Sequence, residues 1–222
     1  MFDFKYNDCL YPCDIGTMTP LQYDRMINIM EHMKPKRICE FGTGISTMLF
    51  KSYCSNNGSA LYSIEHDSEY VKDDTTILMG LIENSDLSIG NKVYHNCVRY
   101  DGLEHWLDGQ EKFDFVLIDG PNDGIPFNSQ NLEYARIQLF DFVLMDKMNM
   151  KSTIMYHDSE REVSQRTLKE FETLLREKNF MYSKEIVIET DSNVIDYNKR
   201  VLGVCPELTI YEIIAQKDKK WK

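Results

Sequence analysis

The chain has 222 residues, of which 42% are hydrophobic and 27% charged, an ordinary composition for a globular domain large enough to bury one core. Its formal net charge of −11 argues against a protein that binds nucleic acid along the phosphate backbone, because such proteins carry a basic face. No apolar run is long enough to span a membrane and no apolar leader follows Met1, so we expect a cytoplasmic protein without a membrane partner.

The chain divides into three parts by composition. Residues 1–18 are rich in aromatic side chains without a clear period, and we expect them to form an N-terminal arm on the domain that follows. That domain is predicted to span residues 19–217, and residues 218–222 form a basic tail. The six cysteines are scattered along the chain, which indicates reduced thiols rather than a zinc site.

The first predicted helix begins at Thr19-Pro20, where a capping hydroxyl precedes a proline at the first helical position. Apolar residues then recur at helical spacing, at Tyr23, Met26, Ile27, Met30 and Met33. Pro35 ends this helix, and the first strand of the predicted sheet follows at residues 37–41.

A glycine turn follows that strand and begins the next helix. The turn is Gly42-Thr43-Gly44, directly after Glu40 and Phe41. Glycine leaves no Cβ in the way of a ligand, and the amino end of a helix favours polar or anionic groups. Nucleotide-like cofactors bind at such a strand–turn–helix unit. The dinucleotide fingerprint, however, requires a third glycine at the position where Thr47 stands.

The second strand, at residues 60–67, also ends in acids. Glu65 follows the glycine turn by about 20 residues, where a carboxylate can accept hydrogen bonds from both hydroxyls of a ribose. We therefore predict that Glu65 is a ribose ligand and that the ring of His66 lies against the adenine.

The next part of the chain is less regular. Residues 68–85 are predicted to be helical with a break near Asp73, and residues 91–98 are predicted to be a third strand of the sheet. Asp101 lies in the loop that follows, where its carboxylate could accept a hydrogen bond from the adenine amino group.

A fourth strand is predicted from Lys112, and its continuous apolar run at residues 115–118 is typical of a central parallel strand buried on both faces. The run ends at Asp119, at the edge of the sheet where open α/β proteins bind ligands. The polar residues 122–130 are predicted to shape an acceptor pocket, and a helix is predicted over 130–147.

A fifth strand is predicted at residues 152–158, ending in His157-Asp158. A helix follows over 163–178. Two closing strands, at 181–189 and 209–216, are predicted to be joined by a loop.

The motifs at these strand ends together resemble those of the class I S-adenosylmethionine-dependent methyltransferases. The resemblance is to a small stand-alone enzyme near the catechol-type and sugar O-methyltransferase clans. It rests on four segments in the expected order, at residues 40–47, 63–67, 116–121 and 157–161. The family implies a Rossmann-like α/β fold, with a seven-stranded, mostly parallel sheet, helices on both faces and an antiparallel last strand.

The resemblance also implies roles for individual residues. The expected S-adenosylmethionine ligands are Glu40, Gly42, Thr43, Gly44, Ser46, Thr47, Glu65, His66, Asp101 and Asp119. The expected catalytic residues are His157, Asp119 and Asp158. In the metal-dependent branch of the family, Asp119 and Asp158 would bind Mg²⁺, although Ser159 stands where a further ligand would be.

We expect the reaction to be O-methylation of a small polar acceptor such as a sugar, with His157 or Asp119 as general base. The protein is expected to be a monomer or homodimer that acts on a small molecule and not on nucleic acid. Two alternatives remain open: an NAD-dependent Rossmann oxidoreductase, and a non-catalytic subunit that binds S-adenosylmethionine.

Overall fold

The computed structural model describes residues 2–13, 17–71, 73–89, 91–121, 132–202 and 204–216. In chain order the elements are β1 Phe2–Tyr6, β2 Cys9–Cys13, α1 Pro20–Met33, β3 Arg37–Phe41, α2 Ile45–Asn57, β4 Ala60–Glu65, a 3-10 helix Ser68–Tyr70, β5 Ile77–Leu78, β6 Leu81–Ile89, β7 Lys92–Tyr100, α3 Leu103–Asp108, β8 Phe113–Ile118, α4 Gln138–Leu144, β9 Met148–His157, α5 Glu162–Glu177, β10 Phe180–Ile188, α6 Ser192–Leu202 and β11 Glu207–Gln216.

Seven of the strands form the central sheet, in the order β10-β11-β9-β8-β3-β4-β5. The pairs from β9 through β8, β3 and β4 to β5 are parallel, whereas β11 runs antiparallel to both of its neighbours. The predicted seven-stranded, mostly parallel sheet with an antiparallel last strand is therefore confirmed.

Both faces of the sheet are covered, because its central strands are apolar on both sides. In β8 the side chains of Phe115 and Leu117 face one core, together with α1, α2 and the β1–β2 hairpin. Those of Val116 and Ile118 face the other core, with α3, α4 and α5. The prediction of helices on both faces is confirmed as well.

Helix α1 begins as its sequence predicts. The Thr19 hydroxyl accepts from the backbone N–H of Gln22, and the Gln22 side chain accepts from the backbone N–H of Thr19. The Gln22 amide also donates to the carbonyl of Pro206, 2.8 Å away. This contact ties the first turn of α1 to the residues that precede β11, at the carboxyl edge of the sheet.

Several predicted elements are wrong. The helix predicted over 68–85 is a 3-10 turn, the short strand β5 and most of β6, and β6 pairs with β7 in a separate two-stranded sheet. The strand predicted at 91–98 is thus part of this hairpin and not of the central sheet.

Further predictions concern the segments that connect or flank these elements. The helix predicted over 130–147 is confined to α4 within the described residues, and the predicted acceptor loop at 122–130 lies outside them. The expected loop between the closing strands contains α6, and residues of the expected arm form the β1–β2 hairpin. In the described part of the chain, no helix has the length and apolar character needed to cross a membrane.

Candidate active site

Side-chain alternation brings four strand-end residues to one face of the sheet: Glu40, Glu65, Asp119 and His157. Each stands two positions after a residue whose side chain faces the α1 side, namely Ile38, Ser63, Leu117 and Met155. The strand ends adjoin one another, since Gly42 N–H donates to Ile64 O and Asp119 N–H donates to Phe41 O, both at 2.9 Å. The four side chains therefore share one edge of the molecule, as the sequence predicts.

The glycine turn fits tightly against the end of β8. Gly42 has a φ of 86°, in the left-handed region, and a Cβ built on it would lie 3.0 Å from the backbone nitrogen of Gly120. Only glycine is free of strain there. Gly44 begins α2, and its N–H donates to the Thr47 hydroxyl at 2.9 Å.

Glu40 is fully buried beneath this turn. Its oxygens accept hydrogen bonds from the hydroxyls of Ser63, at 2.6 Å, and Ser46, at 3.1 Å. Burial raises the pKa of Glu40 to about 7, against the lowering effect of the hydroxyl donors, and the nearby charge of Asp119 raises it further. No described Lys, Arg or His side chain forms an ion pair with Glu40.

Glu65 is also buried, but it is surrounded by donors. One oxygen accepts from the backbone N–H of Thr43 at 2.8 Å and from the Thr43 hydroxyl at 3.1 Å. The other accepts from the backbone N–H groups of His66 and Asp67, and His66 Nδ1 lies 2.9 Å from it. Burial alone would raise the pKa of Glu65, but these hydrogen bonds outweigh it and lower the pKa to about 2. Glu65 is therefore ionised at neutral pH.

His157 and Asp119 form a hydrogen-bonded pair, with Nδ1 and Oδ1 2.7 Å apart. The imidazole is fully buried, and its Nε2 has no hydrogen-bond partner among the described residues. Burial lowers the pKa of His157, but the charges of Asp119 and Asp158 outweigh burial and raise the pKa above its usual value. The pair can hold a proton on Nδ1 and leave Nε2 as an acceptor.

Arg136 is a buried residue of this site that the sequence reasoning missed. Its guanidinium donates to Asp158 Oδ2 at 3.1 Å, to the His157 carbonyl at 2.5 Å and to the Pro121 carbonyl at 3.1 Å. Arg161 also lies 2.9 Å from Asp158. Although burial would raise the pKa of Asp158, the two arginines lower it, and so does His157 whenever its imidazole is protonated.

Two tyrosines were also missed, because they come from α1 and β7, which are not strands of the central sheet. Tyr23 on α1 is buried, which raises the pKa of its hydroxyl, and the charges of Asp119 and Glu40 add to this effect. The Tyr100 hydroxyl is buried without a hydrogen-bond partner among the described residues, 3.1 Å from the place that a Cβ on Gly120 would occupy.

The remaining predicted residues divide by exposure. Thr43, Ser46 and Thr47 are buried within the turn and the first turn of α2. The ring of His66 is partly exposed beside Glu65. Asp101 is exposed just after β7, where its backbone N–H donates to the carbonyl of Gly80, so its contact with adenine stays a prediction.

The donor atoms of Asp119, His157 and Asp158 lie within 4.8 Å of one another, close enough for the three side chains to share a metal ion. Mg²⁺ prefers a set of oxygen ligands, whereas this set includes an imidazole. The charge of Asp158 is moreover compensated by Arg136 and Arg161, and a further cation would be repelled by both. These residues do not fit Mg²⁺, and we assign no chemical step to a metal.

No protein-family model and no curated protein sequence matches the chain. Solved structures do resemble it. A candidate S-adenosylmethionine-dependent methyltransferase from Streptococcus mutans is 10% identical over 96% of this chain and 55% of that chain, with a TM-score of 0.56. The cofactor-bound protein Rv0187 from MTB is 8% identical over 89% and 81%, with a TM-score of 0.53.

A candidate caffeoyl-CoA O-methyltransferase from Staphylococcus aureus is 11% identical over 90% of this chain and 86% of that chain, with a TM-score of 0.50. At such low identities the likeness concerns the fold. The chain has the fold of the class I S-adenosylmethionine-dependent methyltransferases, as the motifs at its strand ends predict.

Proposed function

We propose that this protein transfers the methyl group of S-adenosylmethionine to a hydroxyl oxygen of a small polar acceptor, such as a sugar. One observation carries the proposal: Glu40, Glu65, Asp119 and His157 share one face and one edge of the sheet, around a glycine turn. In open α/β sheets this is the edge at which ligands bind.

The cofactor would lie along the glycine turn, with its methionine end near Glu40 and its ribose at Glu65. Both oxygens of Glu65 already accept hydrogen bonds from the protein. The Thr43 hydroxyl and the His66 ring can rotate away and be replaced by the two ribose hydroxyls. The backbone N–H groups cannot rotate away, so they keep Glu65 ionised and in place during this exchange.

The acceptor would meet the His157–Asp119 pair. Nε2 of His157 takes the hydroxyl proton while the acceptor oxygen attacks the methyl carbon, and the electrons of the breaking C–S bond remain on sulfur. Asp119 holds the proton on Nδ1 and stabilises the imidazolium that forms. The sulfonium brings its own leaving group, so the main task of the protein is to align donor and acceptor.

Mg²⁺ is not required by this scheme, because the two arginines already compensate the charge of Asp158. We expect methyl transfer to continue at its full rate in excess chelator. If activity is lost in chelator and only added Mg²⁺ restores it, the reaction depends on the metal after all.

Calorimetry with S-adenosylhomocysteine and with NAD separates the two cofactor classes. We expect S-adenosylhomocysteine to bind and NAD not to bind. Glu65→Ala should weaken S-adenosylhomocysteine at least about tenfold, because a hydrogen-bonding partner of the ribose is lost. Glu69→Ala is the matched control, since Glu69 is exposed on the neighbouring 3-10 helix. Binding of NAD alone would replace the proposal with the oxidoreductase alternative.

Transfer of a labelled methyl group to a panel of sugars and phenols tests catalysis itself. His157→Gln should lower kcat by at least about 100-fold, the usual contribution of a general base, while the affinity for S-adenosylhomocysteine changes little. If the protein binds the cofactor yet methylates nothing in the panel, the non-catalytic alternative gains support.

A further inference from the structure

Glu40 is a buried carboxylate to which the described residues offer no counter-ion. Tyr23 on α1, Cys54 on α2 and Asp119 after β8 are the titratable groups near Glu40, together with Cys39, its neighbour on β3, whose side chain points to the opposite face of the sheet. The two thiols and the phenol are neutral at physiological pH, and Asp119 is an acid. Ionisation of Glu40 therefore places a negative charge in a region of low dielectric without a compensating cation.

The side-chain donors of Glu40, at Ser63, Thr47 and Ser46, are all hydroxyls, which are compatible with either protonation state. The hydroxyls of Ser46 and Ser63 can donate to a carboxylate, and a rotated hydroxyl can accept from a carboxylic acid. Glu65 differs, because its backbone N–H donors can only donate and so fix it as an anion. With a pKa of about 7, Glu40 is populated in both states near neutral pH.

S-Adenosylmethionine carries a positive sulfonium, whereas its product S-adenosylhomocysteine carries a neutral thioether at the same atom. We propose, building on the proposed function, that Glu40 distinguishes the cationic methyl donor from the neutral product by losing its proton when the donor binds and regaining it when the methyl group has left. The sulfonium supplies the positive charge that the protein does not offer.

The protons balance over one turnover. Donor binding converts the acid form of Glu40 to the carboxylate and releases one proton to solvent. During transfer the methyl group moves from sulfur to oxygen, the C–S electron pair stays on sulfur, and the hydroxyl proton moves to His157. Glu40 then takes one proton from solvent and His157 releases one. The net release is the single proton of the acceptor hydroxyl.

The preference for donor over product should consequently depend on pH. At a pH below the pKa of Glu40 the donor must expel a proton, so its advantage shrinks as the pH falls. Above that pKa the carboxylate is already present and the preference reaches a plateau. We expect the ratio of the dissociation constants, product over donor, to rise by up to about tenfold per pH unit below pH 7 and then to level off.

Calorimetric titrations of the wild-type protein with both ligands from pH 5.5 to 8.5 measure this ratio. Titrations at pH 7 in buffers of different ionisation enthalpy count the protons released. We expect more protons to be released with S-adenosylmethionine than with S-adenosylhomocysteine, because only the donor brings the sulfonium charge. A ratio that is independent of pH, with equal proton counts for the two ligands, would overturn the inference.

Glu40→Gln is the matched variant, because the amide keeps the size of the side chain and its hydrogen bonds but cannot ionise. The ligand amino group titrates alike in both proteins, so the difference between wild type and variant isolates Glu40. In Glu40→Gln the additional proton release on donor binding should disappear. If it persists, another group releases the proton and the inference is overturned. If Glu40→Gln does not fold, the wild-type proton counts decide the matter. If neither ligand binds wild type, the proposed function fails, and this inference with it.

Discussion

At the scale of single residues, acids in equivalent positions differ because their donors differ. Glu65 accepts from backbone N–H groups and is ionised, whereas Glu40 meets only hydroxyls and has a pKa of about 7. Asp158 is held by two arginines. The period of a strand predicts where such a carboxylate lies, but its charge state depends on partners from other elements, which the sequence does not reveal.

The first prediction at this scale concerns His157. The charge of Asp119 is the largest effect that raises the pKa of His157, so Asp119→Asn should lower that pKa. A histidine titration followed by NMR measures it, with His157→Gln to assign the resonance. Asp101→Asn, in an exposed loop, is the control and should leave the titration unchanged.

The raised pKa of His157 also makes the stability of the fold depend on pH. Folding raises the pKa of His157, so the protonated imidazole stabilises the folded state. This stabilisation is fully present below the pKa of His157 in the unfolded chain and is lost as the pH rises through its pKa in the folded protein. An unchanged His157 titration in Asp119→Asn would contradict the pairing of the two side chains.

The second prediction concerns Arg136. Arg136→Ala should reduce the free energy of unfolding by about 3 kcal/mol, because it removes the donor to the carbonyls of Pro121 and His157 and leaves the buried Asp158 with Arg161 alone. Urea denaturation measures this. Arg166→Ala is the control, since the ion pair of Arg166 with Glu162 is exposed and should contribute less than about 1 kcal/mol. Equal effects of the two substitutions would show that the buried hydrogen bonds of Arg136 do not stabilise the fold.

At the scale of elements, the sequence predicts the parallel strands well except for the two-residue β5. Apolar residues dominate the buried carboxyl halves of β3, β4, β8 and β9, and an acid or histidine stands at or next to the end of each strand. The acids and the histidine of the candidate site follow directly from those strand ends. Arg136 and Tyr100 do not, because each reaches the site by tertiary packing.

The β6–β7 hairpin shows why other elements were missed. Its first strand, β6, begins within residues 77–82, a short and mostly apolar run that periodicity cannot assign to a helix or a strand. The dipeptide Gly90-Asn91 was a usable hairpin signal in the sequence. Helix α6 likewise had a usable signal, since Asp191 precedes it as a capping acid and accepts from the backbone N–H of Asn193.

The glycine turn yields a prediction about the stability of the fold. Gly42→Ala should cost about 2 kcal/mol, because it combines a left-handed φ with a contact of 3.0 Å to the backbone of Gly120. Gly44→Ala is the control, since a Cβ there meets nothing within 4 Å and the φ of −175° is extended. Thermal denaturation compares the two variants. Similar losses of stability would show that the close approach of Gly42 to Gly120 does not matter.

At the scale of the whole molecule, the β1–β2 hairpin shares a core with α1 and α2. Tyr11 is 4% exposed in that core, whereas its neighbour Leu10 is 65% exposed. Tyr11→Ala should therefore cost about 3 kcal/mol and Leu10→Ala no more than about 0.5 kcal/mol. Urea denaturation of the two variants tests this, and equal values would indicate an arm that packs only loosely.

The position of β11 between β9 and β10 also bears on how the chain can be synthesised. While the ribosome is still translating residues before Glu207, β10 has no neighbouring strand and β9 has an open edge. Unpaired strand edges favour aggregation. A nascent chain that stalls after α6 would therefore expose both edges, and this half of the sheet can close only when residues 207–216 have left the exit tunnel.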